Sequence, residues 1–468
     1  MNASPPLNQI AFSVVDLRRT ERWFREGCGL LPAGGSRRMM RGPIAARVQG
    51  LPGAASTCWW LVGRNPWLQL EFFQFERPIA RLMPHDFRPC DVGYTRIGFW
   101  VADFDATLGQ LARLGTAPLS APLGEPGARR ACVRSPDGVF VELMEADPLP
   151  AAAAGPGRAG CGTAVRSVTL SVPDLDKTVA FFGGGLGLPR ATAPLHEPQH
   201  ESLWGLAGAR ARSAVFTAGD VLVEAVQYVD PPGKPWPEGY RISDQGILNI
   251  AFGARGRVDH VAIFDRAVAG GARPNCKPFQ LPGAGVVYVN DPQGFSVELL
   301  WLKPGKPDRD WGFEPLPIDE RPPPDTHSIQ QSVRVAASAD RAWKVLMDHE
   351  GMSAWSGFKS VTLERAGETD RNGRGAVRRL ASPLGATLEQ VTCAEAPRLM
   401  RYRVIAGSPF VCHQGEIRLE PEGAATKITW TVRFRPKMPG TGALLARLFN
   451  RLLGSAMRDG LRRQVEKA

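Results

Sequence analysis

The sequence predicts an α+β protein with two copies of one domain, each built from paired βαβββ units, and a third domain in which a curved antiparallel sheet grips one long helix. Three observations predict this class. Residues 7–147 repeat as residues 165–302, with an offset that drifts only between 153 and 158. Within each copy, segments of alternating apolar and polar residues are separated by helical segments. The chain then closes on a long stretch with apolar residues at helical spacing.

Matched motifs carry the repeat. Gln9–Leu17 matches Ser167–Leu175, Gly50–Ala54 matches Gly205–Ala209, Leu70-Glu71 matches Val223-Glu224, Asp91–Gly93 matches Asp244–Gly246, and Pro136–Gly138 with Val141–Leu143 matches Pro292–Gly294 with Val297–Leu299. The copies differ by short loop insertions, so the domain is duplicated.

The elements of the first copy can be read in order. Ile10, Phe12 and Val14 alternate with small residues, which predicts a half-buried strand. An Asp-Leu turn then opens a helix over residues 18–26, and the glycines that follow end it. The same β-α-β-β-β order recurs over residues 95–145. Each copy should therefore curl a sheet around a cleft into which strand side chains point.

The third domain has a different pattern. A strand over residues 329–335 leads into a short helix over residues 339–346, and alternating strands joined at glycine turns follow. Apolar residues from Leu444 to Val465 recur at helical spacing with arginines between them. A sheet that curves around this helix would enclose a cavity.

Segments rich in proline, glycine and alanine set the expected domain boundaries. We expect a first domain at 1–147, a linker at 148–163, a second domain at 164–303, a Pro-rich linker at 304–326 and a third domain at 327–468.

Composition narrows the class of protein. The 468 residues are 43% hydrophobic and 22% charged, which excludes a disordered chain. No stretch approaches the ~20 apolar residues of a membrane span, and the N-terminus shows no secretory signal. The eight cysteines form no C-x-x-C pair, which argues against a structural zinc site or a disulfide framework. We therefore expect a cytoplasmic protein.

The net charge of +11 is concentrated in the third domain. Residues 327–468 contain 23 Lys and Arg against 13 Asp and Glu, a net charge of +10. In Trp430–Arg435, however, arginines alternate with apolar residues, which is typical of a solvated sheet face. Nucleic acid is therefore not the favoured partner.

The strand with its Asp-Leu turn, the Pro-Asp-Gly and Val-Glu-Leu ending, and the duplication resemble the vicinal-oxygen-chelate superfamily of glyoxalases, extradiol dioxygenases and bleomycin resistance proteins. The family's metal ligands come from matching strand positions. The resemblance implies one cleft of Gln9, Glu71, Arg96 and Glu142, and a second of Ser167, Glu224, Asn249 and Glu298. Neither set has the family's histidine, and transition-metal sites on this fold rely on imidazole.

The two implied clefts should differ in chemistry. In the first, Arg96 would lie between the carboxylates and substitute for the metal, so that this copy is either structural or a pocket in which Arg96 binds an anionic substrate. In the second, Glu224 and Glu298 would converge without a cation, so one pKa should rise and the pair could act as general acid and base. Ser167 and Asn249 would then contact substrate. No cofactor is required, although a divalent Mg²⁺ or Mn²⁺ in the second domain is the alternative.

Residues near the second cleft complete the candidate set. Arg241 and Asp244 lead into the strand of Asn249 and could orient a substrate, or Asp244 could simply stabilise a turn. His196 and His200 fall in a loop that could reach over the cleft, although surface positions are the alternative.

The third domain resembles the START-like (SRPBCC), polyketide cyclase and dehydrase superfamily. The resemblance lies in the residues from Val335 to Trp343, the turn at Gly351–Trp355, the strand Thr429–Val432 and the closing helix. It implies a helix-grip fold that binds apolar small molecules. Trp343, Tyr402 and Trp430 would line the cavity, with plain core packing as the alternative, and Glu389 and His413 are its acid/base candidates.

Two classes of function follow from these resemblances. The first is an enzyme that acts on a hydrophobic, aromatic or polyketide-like metabolite through Glu298 and Glu224, with the third domain binding substrate or product. The alternative is a protein that sequesters such a molecule without catalysis. A metal-dependent dioxygenase or lyase comes third. We expect a small hydrophobic molecule as partner and no membrane, and leave a homodimer open.

Overall fold

The computed structural model describes residues 4–36, 39–149, 157–317, 326–383 and 385–467. The chain divides into two units, Met1–Pro324 and Asp325–Ala468. The two expected linkers, 148–163 and 304–326, lie partly outside the described residues.

The first unit holds both copies of the repeat. Its strands among the described residues are β1 (Leu7–Val14), β2 (Leu31–Gly35), β3 (Met40–Arg41), β4 (Ala55–Val62), β5 (Gln69–Arg77), β6 (Gly93–Val101), β7 (Arg130–Arg134), β8 (Phe140–Met144), β9 (Thr163–Ser171), β10 (Arg210–Ala218), β11 (Val221–Asp230), β12 (Gly246–Ala254), β13 (Arg273–Pro274), β14 (Phe279–Leu281), β15 (Ala284–Asn290) and β16 (Ser296–Leu302). Its α-helices are α1 (Leu17–Arg22), α2 (Pro43–Gln49), α3 (Phe104–Arg113), α4 (Leu175–Val179), α5 (Arg257–Ala269) and α6 (Lys306–Asp310).

These strands form two sheets that mix the copies. In sheet A the order is β13-β15-β16-β12-β1-β5-β4-β2, with β14 on β15 and β3 on β4. In sheet B it is β10-β11-β9-β6-β8-β7. Each sheet therefore combines the first half of one copy with the second half of the other, which corrects the expectation that each copy closes its own cleft.

Antiparallel strand pairs join the half-domains of the two copies. β1 pairs with β12 in sheet A, and β6 pairs with β9 in sheet B. A single hydrophobic core that includes Phe12, Phe72 and Phe252 spans both sheets. Separating the copies would expose this core, so the repeat folds as one unit.

The predicted Asp-Leu turns begin helices in both copies. The Asp16 side chain accepts a hydrogen bond from the backbone N–H of Arg19, and Asp174 accepts one from Lys177, as helix N-caps do. The helix expected over residues 18–26 is split into α1 and a π-helical turn, Trp23–Gly27. The second copy repeats that turn at Ala180–Gly185.

The second unit is a seven-stranded antiparallel sheet with helices against it. Its strands are β17 (His327–Val335), β18 (Ser360–Arg365), β19 (Val377–Ser382), β20 (Gly385–Glu395), β21 (Leu399–Ala406), β22 (Phe410–Glu422) and β23 (Ala425–Pro436), in the order β17-β23-β22-β21-β20-β19-β18. Its helices are α7 (Ala339–Met347), α8 (Ser353–Ser356), α9 (Gly442–Ser455) and α10 (Arg462–Lys467), the last two joined by a π-helical turn, Ala456–Leu461. This is the expected helix-grip arrangement.

Burial in β23 follows the predicted alternation with one exception. Trp430, Val432 and Phe434 are buried and Arg433 is half-exposed, but Arg435 is only 6% exposed. The described part of the chain contains no helix with both the length and the apolar character needed to cross a membrane.

Candidate functional site

Each copy has four residues at positions that match the family's metal ligands. The structure brings these eight residues together in two groups of four, but each group mixes the two copies. β16, β12, β1 and β5 are consecutive in sheet A and carry Glu298, Asn249, Gln9 and Glu71. We call this group the carboxylate cleft. β11, β9, β6 and β8 are consecutive in sheet B and carry Glu224, Ser167, Arg96 and Glu142. We call this group, together with His196, the histidine cleft.

This grouping corrects the pairing of Glu224 with Glu298. The two residues lie in different sheets because the copies exchange halves, so they do not share a site. The partner of Glu298 is Glu71, and the partner of Glu224 is Glu142. Arg96 likewise faces Glu224 rather than Glu71.

In the carboxylate cleft, neutral groups surround both carboxyls. Glu71 accepts hydrogen bonds from the amide of Gln9, from Cys58 Sγ at 2.9 Å and from Trp60 Nε1 at 2.9 Å. Glu298 accepts one from Asn249 Nδ2 at 3.4 Å and is hydrogen-bonded to Tyr288. No arginine, lysine or histidine of the described chain pairs with either carboxyl group.

The two carboxyl groups hold protons unusually well. Burial, together with the charge of Glu71, raises the pKa of Glu298 to about 8. Burial also raises the pKa of Glu71, to about 7, although its three hydrogen bonds oppose this. Glu71 and Glu298 are only 7% and 4% exposed, so water does little to stabilise a charge there. Near neutral pH this pair therefore holds a proton that it can exchange.

Apolar side chains form the walls of the carboxylate cleft. Leu51, Phe73, Phe75, Leu248 and Tyr288 belong to one buried cluster there, with Met40, Val48, Trp60 and Ile242 packed at its edge. The rings of Phe73 and Phe75 stack at 5.7 Å. Met40 and Val48 come from β3 and α2, which cover this side of sheet A. The carboxyl pair is therefore enclosed largely by apolar and aromatic side chains.

Four side chains with carboxyl or amide groups meet in this cleft, those of Gln9, Glu71, Asn249 and Glu298. Its carboxylates accept hydrogen bonds from protein donors, and Asn249 turns its amide nitrogen toward Glu298. Within the described residues, no group of three or more His, Cys, Asp and Glu side chains is arranged to hold a metal ion. Because Glu224 and Glu298 lie in different sheets, these two residues do not meet to form the divalent-ion site considered for the second domain.

In the histidine cleft, cationic side chains pair with the two glutamates at the equivalent strand positions, Glu224 and Glu142. His196 Nδ1 lies 2.8 Å from Glu224 Oε2, and its Nε2 lies 2.7 Å from Glu142 Oε2. Arg96 contacts Glu224 at 3.2 Å, and Arg130 contacts Glu142 at 2.9 Å. The imidazole thus bridges the two carboxylates.

Protonation in the histidine cleft runs opposite to that in the carboxylate cleft. Burial alone would lower the pKa of His196, but Glu224 and Glu142 raise it to about 9. Burial would also raise the pKa of both glutamates, yet His196 and the arginines lower each to about 2. The Trp204 ring packs against Arg96, with its centroid 3.9 Å from the guanidinium carbon. The site is an internal salt bridge network with its charges fixed.

The remaining first-unit candidates have structural contacts. Ser167 is buried, and a Cβ on Gly98 would lie 2.2 Å from its Oγ, so the two strands approach closely there. Asp244 accepts hydrogen bonds from Arg81 Nε at 2.9 Å and from the backbone N–H of Arg241 at 3.0 Å. Neither Arg241 nor Asp244 belongs to the carboxylate cleft, although Asp244 lines a separate cavity between the copies.

In the second unit, Tyr402 and Trp430 are buried, and Trp430 Nε1 donates to the Tyr402 hydroxyl at 3.0 Å. Trp343 is half-buried and packs at the edge of that core. Arg378 binds Glu389 at 2.9 Å, and although burial raises the pKa of Glu389, Arg378 opposes the rise.

His413 packs beside Phe410 with a centroid distance of 5.6 Å, and burial lowers its pKa to about 4. Within the described residues, neither ring nitrogen of His413 has a hydrogen-bond partner. The interior of this unit therefore combines aromatic rings with a neutral imidazole.

Sequence reasoning missed Tyr288 and Cys58, and it treated His196 only as a loop residue that could reach a cleft. Tyr288 is directly opposite Glu298 across β15 and β16, a register that the sequence alone does not reveal. The loop of His196 does reach a carboxylate pair, but its partners come from both copies.

Comparison with known families and structures gives the following matches. Residues 164–299 match the family model of the glyoxalase/bleomycin resistance protein/dioxygenase superfamily, and residues 326–468 match that of polyketide cyclase/dehydrase and lipid transport. The comparison with curated proteins found no match.

Solved structures resemble each unit at low identity. Glyoxalase I from Zea mays is 16% identical and covers 64% of this chain and 92% of its own, with a TM-score of 0.42. A putative dioxygenase from Bacillus subtilis is 13% identical over 68% of this chain and 92% of its own, with a TM-score of 0.46. A START superfamily protein from Mycobacterium smegmatis is 20% identical over 30% of this chain and 98% of its own, with a TM-score of 0.28. By the family models, the chain carries a glyoxalase/bleomycin resistance/dioxygenase domain at residues 164–299 and a polyketide cyclase/dehydrase and lipid transport domain at residues 326–468.

Proposed function

We propose that the carboxylate cleft is the active site of an enzyme that transfers protons on a hydrophobic, aromatic or polyketide-like carbonyl compound. The observation that carries this proposal is a buried pair of carboxyl groups without a cation, whose pKa values are raised into the neutral range. A general acid or base works best when its pKa lies near the working pH.

The hydrogen bonds of the cleft assign the two roles. Glu71 accepts from Gln9, Cys58 and Trp60, which stabilise its carboxylate form. It is therefore the base that removes a proton from the carbon next to the substrate carbonyl. Glu298 has fewer hydrogen bonds to stabilise its charged form, and burial and the charge of Glu71 raise its pKa, so in this proposal it carries the proton.

In the reaction, the C–H electron pair forms the enol double bond while Glu298 gives its proton to the carbonyl oxygen. Glu71 then returns a proton to the same carbon, or to a carbon conjugated with it, while the enol O–H proton goes back to Glu298 and the carbonyl re-forms, which completes an exchange or an isomerisation. No electrons are gained or lost overall, so the step needs no further reactant.

The second unit would bind the substrate or product. Its buried aromatic rings, which include Tyr402, Phe410 and Trp430, would suit an aromatic ligand, and the guanidinium of Arg378 lies 5.2 Å from the Tyr402 ring. Non-catalytic sequestration is the second candidate function. It is supported by the protein hydrogen bonds that already occupy the oxygens of Glu71.

The test is hydrogen exchange in D₂O with a panel of aromatic ketones, using the full chain. We expect the wild type to incorporate deuterium beside the carbonyl, and Glu298→Gln and Glu71→Gln to slow this by about 100-fold or more while calorimetric binding is kept. Glu224→Gln, at the repeat position of Glu71, is the matched control and should retain exchange. Binding without exchange in every protein would instead establish sequestration.

A further inference from the structure

A cavity of about 370 Å³ lies between the two copies, away from both clefts. One wall comes from residues 81–94, which join β5 to β6, and the other from residues 234–247, which join β11 to β12. These are the same connecting segment in the two copies. None of the four cleft glutamates lines the cavity.

An aromatic pair dominates the second wall. The rings of Trp236 and Tyr240 stack with centroids 5.3 Å apart and planes at 5°. Phe295 supports the indole from behind, at a centroid distance of 4.7 Å. A planar ring can extend this stack at little cost, because the two side chains are already parallel and held.

The charged groups of the lining neutralise one another. Arg81 binds Asp244 through Nε at 2.9 Å and Nη2 at 2.6 Å, and Lys234 is paired with Asp86. A charged ligand would have to be desolvated without gaining a free partner here. The cavity therefore suits a neutral ligand.

One polar group is left for recognition. Within the described residues the Tyr240 hydroxyl has no hydrogen-bond partner, and burial together with Asp244 raises its pKa, so it stays a neutral donor. It lies on the same wall as the ring stack and could direct its O–H to an oxygen or nitrogen of the ligand.

We propose that this cavity is a second ligand site, which takes a neutral planar aromatic molecule with a hydrogen-bond acceptor. Trp236 and Tyr240 hold the ring, and the Tyr240 hydroxyl binds the acceptor. The proposal does not depend on catalysis in the carboxylate cleft, because the two sites use different residues.

The test is calorimetric titration of the full chain with 2-naphthol at pH 7, beside 2-naphthoate as its charged analogue. In the wild type we expect one equivalent of 2-naphthol that disappears in Trp236→Leu. In Tyr240→Phe, which keeps the ring, its affinity should fall about fivefold through loss of one hydrogen bond. Naphthoate should bind this site at least about tenfold more weakly.

Glu298→Gln and Trp60→Phe alter the carboxylate cleft and serve as matched controls that should leave this equivalent unchanged. Unchanged binding in a folded Trp236→Leu protein would overturn the proposal, as would loss of the same equivalent in Glu298→Gln. If Trp236→Leu does not fold, Tyr240→Phe decides the question, and an affinity equal to that of the wild type would reject the site.

Discussion

The two clefts of the first unit use equivalent positions of the repeat, and each buries two glutamates. In one cleft cationic side chains pair with the glutamates, and in the other only neutral groups contact them. In the histidine cleft, Arg96, Arg130 and His196 surround the carboxylates and fix them as anions. In the carboxylate cleft, Asn249 stands where Arg96 would be and Val286 where Arg130 would be. One substitution on each of two strands therefore removes both arginines, and the third cation, His196, comes from a loop rather than from a strand.

This difference separates a charge-neutralised network from the cleft that we propose as the active site. A buried ion network holds its elements together but has no proton to exchange near neutral pH. A carboxyl pair without cations destabilises its own charged form and keeps a proton available, which is why such pairs mark functional sites. Under the proposed function, one cleft of the duplicated unit contributes stability and the other contributes the chemistry.

The largest effect should come from His196→Gln, which removes the bridge of the histidine cleft. The imidazole is 6% exposed, and loss of one partner of a buried ion network costs about 3–5 kcal/mol. Because the folded-state pKa of His196 is about 9, its contribution is complete below about 6.5 and is lost as the pH rises through 9. Chemical denaturation of the wild type and the variant from pH 6 to 10 measures the destabilisation and its pH dependence.

His200→Gln is the matched control on the same loop, where the ring accepts a hydrogen bond from the backbone N–H of Glu197. It should cost less than about 1 kcal/mol, as a single local hydrogen bond does. If both variants lose the same small amount, the histidine cleft is not a brace.

The next effect is a pH dependence that Glu298→Gln should remove. The folded pKa of Glu298 is raised to about 8, so its contribution is present below about 4.5 and is lost as the pH rises through 8. Glu298 should account for on the order of 2–4 kcal/mol of the stability that the wild type loses between pH 6 and pH 9. The variant should lose that much less and keep the loss that comes from His196. Denaturation curves at these two pH values give the comparison.

Glu142→Gln tests the same position in the other cleft. Its carboxylate has a lowered pKa, so its contribution is present above about 4.5 and disappears only as the pH falls through about 2. This variant should be destabilised at both pH 6 and pH 9. Because Glu142 also raises the pKa of His196, the variant should in addition lose part of the pH dependence that His196 gives. Stability equal to that of the wild type at both pH values would show that the two clefts do not differ as described.

A smaller effect should follow from Val286→Arg, which copies Arg130 into the carboxylate cleft. Val286 lies two positions before Tyr288, which pairs with Glu298. Arg130 lies two positions before Cys132, which pairs with Glu142. A guanidinium near Glu298 should lower its pKa by about one to two units. Carbon-13 NMR titration of labelled glutamate measures this, and Val258→Arg, at a residue 82% exposed, is the control. An unchanged pKa of Glu298 would contradict the equivalence of the two positions.

The sequence could predict the fold because local signals agreed with it. The Asp16 and Asp174 turns, the alternating strands and the repeat all depend on residues close in the chain. The grouping of cleft residues could not be predicted, because either pairing of the half-domains satisfies the same alternation. Contacts such as β1 with β12 decide it, and these join residues far apart in the chain.

The candidate residues could be predicted one by one but not as a site. Glu71, Glu298, Glu224 and Glu142 follow from strand position, and all four point into a cleft. Their chemistry depends on neighbours that no motif reveals, namely the register that brings Tyr288 to Glu298 and the loop that brings His196 to Glu142. The error in pairing Glu224 with Glu298 follows directly from this.

The smallest effect should come from Trp60→Phe, which removes a single donor from Glu71. The indole N–H at 2.9 Å stabilises the carboxylate form, so its loss should raise the pKa of Glu71 further. The cost should reach about 1 kcal/mol at pH 9, where Glu71 is ionised, and be smaller at pH 5, where the carboxyl is protonated. Trp100→Phe removes a donor to the backbone oxygen of Glu145, a neutral acceptor, and should cost the same at both pH values. Equal pH dependence in the two variants would mean that Trp60 does not tune the charge of Glu71, and the assignment of Glu71 as the base would lose its main support.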